Sequence, residues 1–299
     1  MAQTTTIAGN TIFKIGHGLM TMTWPESKPD EQNFASLKAG IEAAPPGVKV
    51  FLNGGEFYGD GLELLNRFYT KYPEYAERTF FKNAGPKPAG IERSINTITE
   101  RLGPNKKIDL FQPTRVDSNV SIEETMATLN KYGSIGVSEC SEATLVRASK
   151  VAKVAALEIE RLIATAQKLG TIVAAYSPLG RGFLTGKFNQ EELSKQDYRN
   201  GLPSQTFRPQ NNMKLVNALK EIAEKNITPA QLCLVWVCSI GPHIVPIPGS
   251  TRAERTQENF ASVSVALTAE DQADINRALE LNPVSGDRYG AGLVDLNWG

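Results

Sequence analysis

The chain has 299 residues and carries 32 Lys plus Arg against 32 Asp plus Glu, so its formal net charge at pH 7 is zero. This balance gives no overall field that would attract nucleic acid, a membrane surface or an acidic partner, and we expect none of these as partners. The three cysteines and two histidines are too few for a disulfide framework or a zinc site, so we predict no metal.

The first segment, MAQTTTIAGN, lacks both the basic region and the apolar region of a secretory signal. No apolar run in the chain approaches the roughly 20 residues that cross a bilayer. The small number of cysteines fits a reducing compartment. These features predict a soluble, cytoplasmic protein.

Short apolar runs then alternate with longer amphipathic segments, as in proteins that alternate strands with helices. The predicted strands are VKVFLN (48–53), TFFK (79–82), DLFQP (109–113), SIGVS (134–138), AALEIE (155–160), TIVAAYS (171–177) and HIVPIP (243–248). The predicted helices cover residues 30–44, 62–72, 90–102, 122–132, 141–152, 159–170, 212–225 and 228–239. Several of them open with Asp, Ser or Thr, the residues that favour a helix N-cap.

Strands that alternate with helices pair in parallel, because each helix carries the chain back to the start of the next strand. Roughly seven or eight such units predict an α/β fold, a single (β/α)8 TIM barrel whose active site lies at the C-terminal face of the strands. No break in composition divides the chain, so we expect one domain over residues 1–299. The irregular stretch 180–209 predicts a long loop over that face.

Polar side chains follow several of the predicted strands, where a barrel of this kind would bring them together. They are Asn53 with Tyr58, Lys82, Thr114, Ser138 with Glu139, Glu158 and Ser177. Because the carboxyl ends of all strands meet at one face, these residues are candidates for a shared site.

Four segments resemble, in the correct order, the signatures of the aldo-keto reductases, and most closely the fungal pyridoxal-reductase-like branch. They are GGEFYG (54–59), IGVSE (135–139), YSPLGRGFLTGK (176–187) and IVPIPGSTRAERTQEN (244–259). The resemblance covers nearly the whole chain. It implies NADPH as the cofactor and a small-molecule carbonyl compound as the substrate.

The resemblance assigns the phosphate groups of the cofactor to two segments. Ser177, Leu179 and Gly180 form the turn that would hold the pyrophosphate, where backbone N–H groups suit an anion. Ser250 and Arg255 would take the 2′-phosphate, since an arginine fork matches phosphate geometry and a serine hydroxyl adds a donor.

The resemblance also assigns the two ring systems of the cofactor. Glu258 and Asn259 would lie on the adenine side. Ser138, Glu139 and Glu158 match the contacts of the nicotinamide carboxamide, although an amide side chain is commoner in the family where Glu158 stands. A carboxylate can still accept a hydrogen bond from the carboxamide NH2 group.

The catalytic pattern of the family is Asp, Tyr, Lys and His, and this chain retains half of it. Tyr58 stands in the turn of the proton donor, and Lys82 ends the next strand. Asn53 replaces the aspartate and Thr114 replaces the histidine. A tyrosine needs a cation nearby to bring its pKa down from about 10, and Lys82 could supply it. Asn53 could still accept a hydrogen bond from the ammonium group, so we expect a weakened proton relay.

Three hypotheses about function follow. The first is NADPH-dependent reduction of an aldehyde, ketone or imine, either pyridoxal-like or from secondary metabolism. The second is a non-redox isomerase or cyclase that keeps the barrel and the nucleotide site, and the third is a nucleotide-binding accessory subunit whose protein partner is unknown. Two further residues stand in the segment IGHGLMTMTW (15–24), ahead of the predicted strands: His17, for which a structural role is expected, and Trp24, which could wall an apolar substrate site.

Overall fold

Eight parallel strands form one sheet whose spatial order equals their order along the chain. The computed structural model describes residues 3–85, 90–117, 119–159, 162–188, 193, 195, 197–201, 209–223 and 227–285. The parallel strands are β3 (His17–Gly18), β4 (Val50–Gly55), β5 (Thr79–Gly85), β6 (Leu110–Pro113), β7 (Ser134–Ser138), β8 (Val154–Glu158), β9 (Ile172–Ala175) and β10 (Ile244–Pro246). All seven strands predicted from the apolar runs are therefore confirmed.

The sheet closes into a barrel between β3 and β10. The Gly16 backbone N–H donates to the Pro246 carbonyl at 2.9 Å, and that of Gly18 donates to the Pro248 carbonyl at 3.0 Å. A β-carbon at Gly18 would lie 2.9 Å from the Ile247 carbonyl oxygen, so a glycine is needed where these backbones approach. The predicted eight-stranded barrel is thus confirmed.

Two further strands, β1 (Thr4–Ile7) and β2 (Asn10–Phe13), form an antiparallel hairpin that the sequence analysis did not predict. Ile7 and Ile12 of this hairpin are buried in the same apolar cluster as Phe51 and Phe80. Ile12 also forms a bridge with Lys49, next to the start of β4. The hairpin therefore covers the end of the barrel at which the parallel strands begin.

Helices follow most of the strands, as the crossover pattern requires. They are α1 (Met20–Thr23), α2 (Asp30–Ala43), α3 (Gly61–Lys71), α4 (Ile91–Leu102), α5 (Ile122–Leu129), α6 (Glu142–Val151), α7 (Ile163–Leu169), α8 (Pro209–Ala223), α9 (Pro229–Ser239), α10 (Ala253–Ala261) and α11 (Ala269–Leu281). Side chains cap several of them: Thr228 and Thr268 each form a capping box with the residue three positions later. In the described residues, no helix is long and apolar enough to cross a membrane.

Two differences from the sequence analysis concern the loops. The helix predicted over 159–170 begins only at Ile163, after Leu162 in a left-handed conformation with φ 62°. Of the predicted loop 180–209, residues 189–192, 194, 196 and 202–208 lie outside the described residues, and the described part contains short 3-10 turns at Gly180–Thr185 and Tyr198–Gly201.

Inside the barrel, a layer of apolar side chains lies below a layer of polar ones. Phe51, Phe80, Leu110 and Ala156 belong to one buried cluster inside the sheet. Because successive side chains of a strand point to opposite faces, the residue two positions later on each strand also faces the interior. These next residues are polar, and they are Asn53, Lys82, Gln112 and Glu158.

Candidate active site

Glu158 is the centre of the polar layer at the carboxyl end of the barrel. Its Oε2 atom accepts hydrogen bonds from Lys82 Nζ and, at 2.8 Å, from Gln112 Nε2. Its Oε1 atom accepts a longer hydrogen bond of 3.5 Å from Asn53 Nδ2. Four strands, β4, β5, β6 and β8, thus contribute one side chain each to a single hydrogen-bonded cluster.

Lys82 is enclosed more completely than the carboxylate it contacts. Its side chain is 1% exposed, while that of Glu158 is 14% exposed. Burial lowers the pKa of the Lys82 ammonium from its usual value, and the Glu158 charge opposes this shift. The Glu158 carboxylate therefore compensates the charge of the buried Lys82 ammonium group. An isolated ammonium group at this depth would have no such compensation.

A cleft of about 540 Å³ opens above this cluster. It is lined by residues from the turns after β3, β4, β9 and β10 and by Glu158 at the carboxyl end of β8, as expected for a barrel with a site at the C-terminal face. The sequence-predicted residues that line it are Asn53, Tyr58, Glu158, Ser177, Leu179, Ser250, Arg255, Glu258 and Asn259.

Tyr58 lies in the turn after β4 and is half-buried. The Tyr58 backbone N–H donates to the Gly55 carbonyl at 3.0 Å, and its carbonyl accepts from Thr23 Oγ1 at 2.6 Å. The next residue, Gly59, has φ 52°, and a β-carbon there would lie 2.4 Å from the Thr23 carbonyl oxygen. This turn therefore fixes the backbone that carries the Tyr58 phenol at the edge of the cleft.

Five predicted residues do not line the cleft directly. Lys82 lies beneath Glu158. Thr114 is half-buried, and its backbone N–H donates to the Gly85 carbonyl at 3.0 Å. Ser138 Oγ donates to the Glu158 carbonyl at 3.4 Å, and Gly180 has φ 55° in the turn after β9.

Glu139 is the fifth of these residues and is 1% exposed. Its Oε1 atom accepts a hydrogen bond of 2.8 Å from the Tyr176 hydroxyl, and Tyr176 itself lines the cleft. Glu139 has a left-handed φ of 46°, which is uncommon outside glycine and asparagine. The contact therefore connects the strained end of β7 to the wall of the cleft.

The far end of the cleft is built around Ser250, in the loop between β10 and α10. Its hydroxyl accepts from the Arg252 backbone N–H at 3.1 Å and donates to the Arg252 carbonyl at 3.0 Å. Its own carbonyl accepts from His17 Nε2 and from Ser36 Oγ, each at 3.1 Å. Two buried side chains thus anchor the loop for which the sequence predicts phosphate binding.

His17 is 1% exposed, and burial lowers its pKa to about 4. The imidazole is therefore neutral near pH 7 and acts as a hydrogen-bond donor to Ser250. Trp24 and Met20 line the cleft wall, whereas Met22 is fully buried in the core.

The sequence analysis missed Gln112 and Tyr176. Gln112 stands two residues after the buried Leu110, and Tyr176 stands two residues after the buried Ala174. The period-two alternation of an interior-facing strand would have indicated both positions.

The chain matches one known protein family over most of its length. Residues 14–280 match the model of the Aldo/keto reductase family. The chain belongs to this family. The family and the oxidoreductase class that the four motifs predicted are thus confirmed.

Individual aldo/keto reductases are similar over most of their length. The aldo-keto reductase str7 of Strobilurus tenacellus is 34% identical over 300 residues, which cover 89% of this chain and 87% of that protein. Probable pyridoxal reductase 2 of Schizosaccharomyces pombe is 29% identical over 325 residues, covering 95% and 96% of the two chains. The structure of an aldo-keto reductase from Klebsiella pneumoniae in complex with NADPH superposes with a TM-score of 0.67 at 20% identity, over 95% of this chain and 96% of that one.

Proposed function

We propose that this aldo/keto reductase uses NADPH to reduce the carbonyl group of a small molecule. The observation that carries the proposal is a single cleft that joins two chemically different ends. Tyr58 and Glu158 line one end, and Ser250 and Arg255 line the other. A cleft of this kind can bring a reacting carbonyl next to an acid while a distant anionic group is held.

The side chains of the cleft fit an anionic dinucleotide. Arg181, Lys187 and Arg255 line it, and Ser250 lies next to the N-terminus of α10, whose backbone favours anions. Ser177, Leu179 and Gly180 would hold the pyrophosphate, Ser250 and Arg255 the 2′-phosphate, and Glu258 and Asn259 the adenine side. When NADPH is bound, its reduced nicotinamide supplies a hydride to the carbonyl carbon.

The residues at the other end of the cleft would supply the proton that the reduction of the carbonyl requires. Tyr58 would donate its phenol proton to the carbonyl oxygen, the position at which negative charge develops. The Lys82 cation beneath the cleft would stabilise the phenolate that this step leaves. Ser138, Glu139 and Glu158 would lie near the carboxamide side, although the contact of Glu158 with Lys82 reduces its capacity for that role.

The substrate is proposed to be an aldehyde, ketone or imine with an apolar or aromatic part. Trp24, Met20 and Tyr176 line the same cleft as Tyr58 and offer the substrate aromatic and thioether surface. The similarity to a probable pyridoxal reductase makes pyridoxal the first compound to test, with aromatic secondary-metabolite aldehydes next.

The test has two stages, because binding and turnover separate the three hypotheses. Quenching of tryptophan fluorescence measures the dissociation constants for NADPH and NADH, and the absorbance of reduced nicotinamide then reports turnover with a panel of carbonyl compounds. Oxidation of NADPH coupled to alcohol formation supports the reductase. Binding without oxidation would instead favour the accessory subunit, and substrate conversion without NADPH consumption would favour the isomerase or cyclase.

A further inference from the structure

The carboxylate that contacts Lys82 comes from β8 and not from β4. Asn53 and Lys82 are register partners on the neighbouring strands β4 and β5, so a carboxylate at position 53 would be the nearest one to expect. The structure instead has an amide at that position, and the Lys82 ammonium donates to Glu158 Oε2. The carboxylate that contacts Lys82 therefore stands on a strand across the barrel and not on the neighbouring strand.

The surroundings of Glu158 suit this exchange. Asn53 donates to Glu158 through its Nδ2 atom, which an aspartate at position 53 could not do. The Oδ1 atom of Asn53 is buried and has no hydrogen-bond partner among the described residues, so Nδ2 alone gives the amide a contact. An aspartate at 53 would place two carboxylates against each other, which disfavours the charged form of one of them.

Gln112 completes the arrangement from a third side. Its Nε2 atom donates to the same Oε2 atom that Lys82 contacts, at 2.8 Å. Gln112 is 1% exposed, so its amide is held inside the barrel. Two amide donors and one ammonium donor therefore fix the position of a single carboxylate.

We propose that Glu158 is a positioning residue that orients the Lys82 ammonium in the proton relay, in place of the aspartate that the family carries where this chain has Asn53. The proposal rests on the proposed reductase function. The carboxylate that faces Lys82 is retained, but it stands at position 158 on β8, and the amide stands at position 53 on β4.

The test exchanges the two groups back in three variants. In E158Q the carboxylate is lost without a change of size, so kcat falls about 100-fold, within the usual contribution of a positioned proton-transfer group. Without the Glu158 charge the pKa of Lys82 falls further, so the basic limb of the kcat–pH profile moves to lower pH. In N53D/E158Q the carboxylate stands on the register partner of Lys82, and kcat recovers to within about 10-fold of the parent protein. N53D alone, with two adjacent carboxylates, gains nothing.

A matched control is available just before β6, at a carboxylate that accepts from the Phe81 backbone N–H and does not contact Glu158. Lys106 and Asp109 form a second enclosed pair, 2.8 Å apart, with side-chain exposures of 7% and 22%. D109N therefore lowers the melting temperature, as E158Q does, but leaves the kcat–pH profile unchanged. The dissociation constant for NADPH stays within about threefold in D109N, which shows that this control leaves the cleft intact.

The kinetics of the parent and of the variants separate failure of this inference from failure of the proposed function. If E158Q keeps the parental kcat and pH profile while the parent oxidises NADPH, Glu158 has no positioning role and the inference is overturned. If the parent shows no turnover with any carbonyl compound, the reductase proposal fails, and the positioning role of Glu158, which rests on it, fails with it. Should E158Q not fold, a folded and active N53D/E158Q supports the inference, and an unfolded one overturns it.

Discussion

The imidazole of His17 and the carbonyl of Ser250 are joined by a buried hydrogen bond of 3.1 Å. It connects the first parallel strand, β3, to the loop after the last one, next to the bridge between Gly18 and Gly249 that closes the sheet. This contact therefore ties the proposed phosphate loop to the seam at which the barrel closes.

Because His17 is buried in this contact, we expect the free energy of unfolding to depend on the protonation of its imidazole. Burial lowers the pKa of His17 from 6.5 to about 4, so the unfolded chain binds a proton that the folded chain does not bind between these values. The stability from His17 is complete above about pH 6.5 and is lost as the pH falls toward 4. We expect the parent to lose about 3 kcal/mol more than H17Q between pH 7 and pH 4. Denaturant unfolding at both pH values measures the difference, and equal losses would contradict the assignment.

Tyr58 is expected to be needed for turnover and not for cofactor binding. Tyr58→Phe removes only the hydroxyl, so NADPH-dependent turnover falls by at least about 100-fold while the dissociation constant for NADPH stays within a few-fold. Steady-state kinetics and fluorescence titration give the two quantities. Phe57→Leu, a change at the exposed neighbouring ring, serves as the control for disturbance of the turn. Unchanged turnover in Y58F would remove Tyr58 from the mechanism.

Arg255 is expected to distinguish NADPH from NADH. Arg255→Ala removes a cation that can form charge-assisted hydrogen bonds with a 2′-phosphate, each of which contributes about 1.5–3 kcal/mol. KM for NADPH should rise about 10-fold to 100-fold, while KM for NADH and both kcat values change little. Glu254→Ala, on the first turn of the same helix but outside the cleft lining, is the matched control. An equal rise of both KM values would show that Arg255 does not contact the 2′-phosphate.

The apolar interior of the barrel is expected to dominate its stability. Leu110 is 1% exposed within the inner cluster, and Leu110→Ala leaves a cavity that costs about 3 kcal/mol. Leu281→Ala, at a leucine that is 73% exposed, should cost less than about 0.5 kcal/mol. Urea unfolding of both variants gives the comparison. Similar losses in the two proteins would argue against a packed barrel interior.

Much of the fold followed from local patterns. Apolar runs bounded by turn residues marked seven of the eight parallel strands, because both faces of such strands are buried and their sequence is nearly uniform. The missed strand, β3, has only two residues, His17 and Gly18, and so carries no pattern of its own. The hairpin of β1 and β2 escaped notice for the same reason, since each strand has four residues with mixed burial.

The sequence by itself determined which chemical groups stand at the strand ends: a tyrosine, a lysine, an amide where the family has an aspartate, and a threonine where it has a histidine. Their partners were decided only by the tertiary structure. Asn53 and Glu158 are 105 positions apart and touch because β4 and β8 turn the same face toward the interior of a closed sheet. Closure and stagger set which residues share a level inside a barrel, and a shift of one residue would turn Glu158 away from Lys82 altogether.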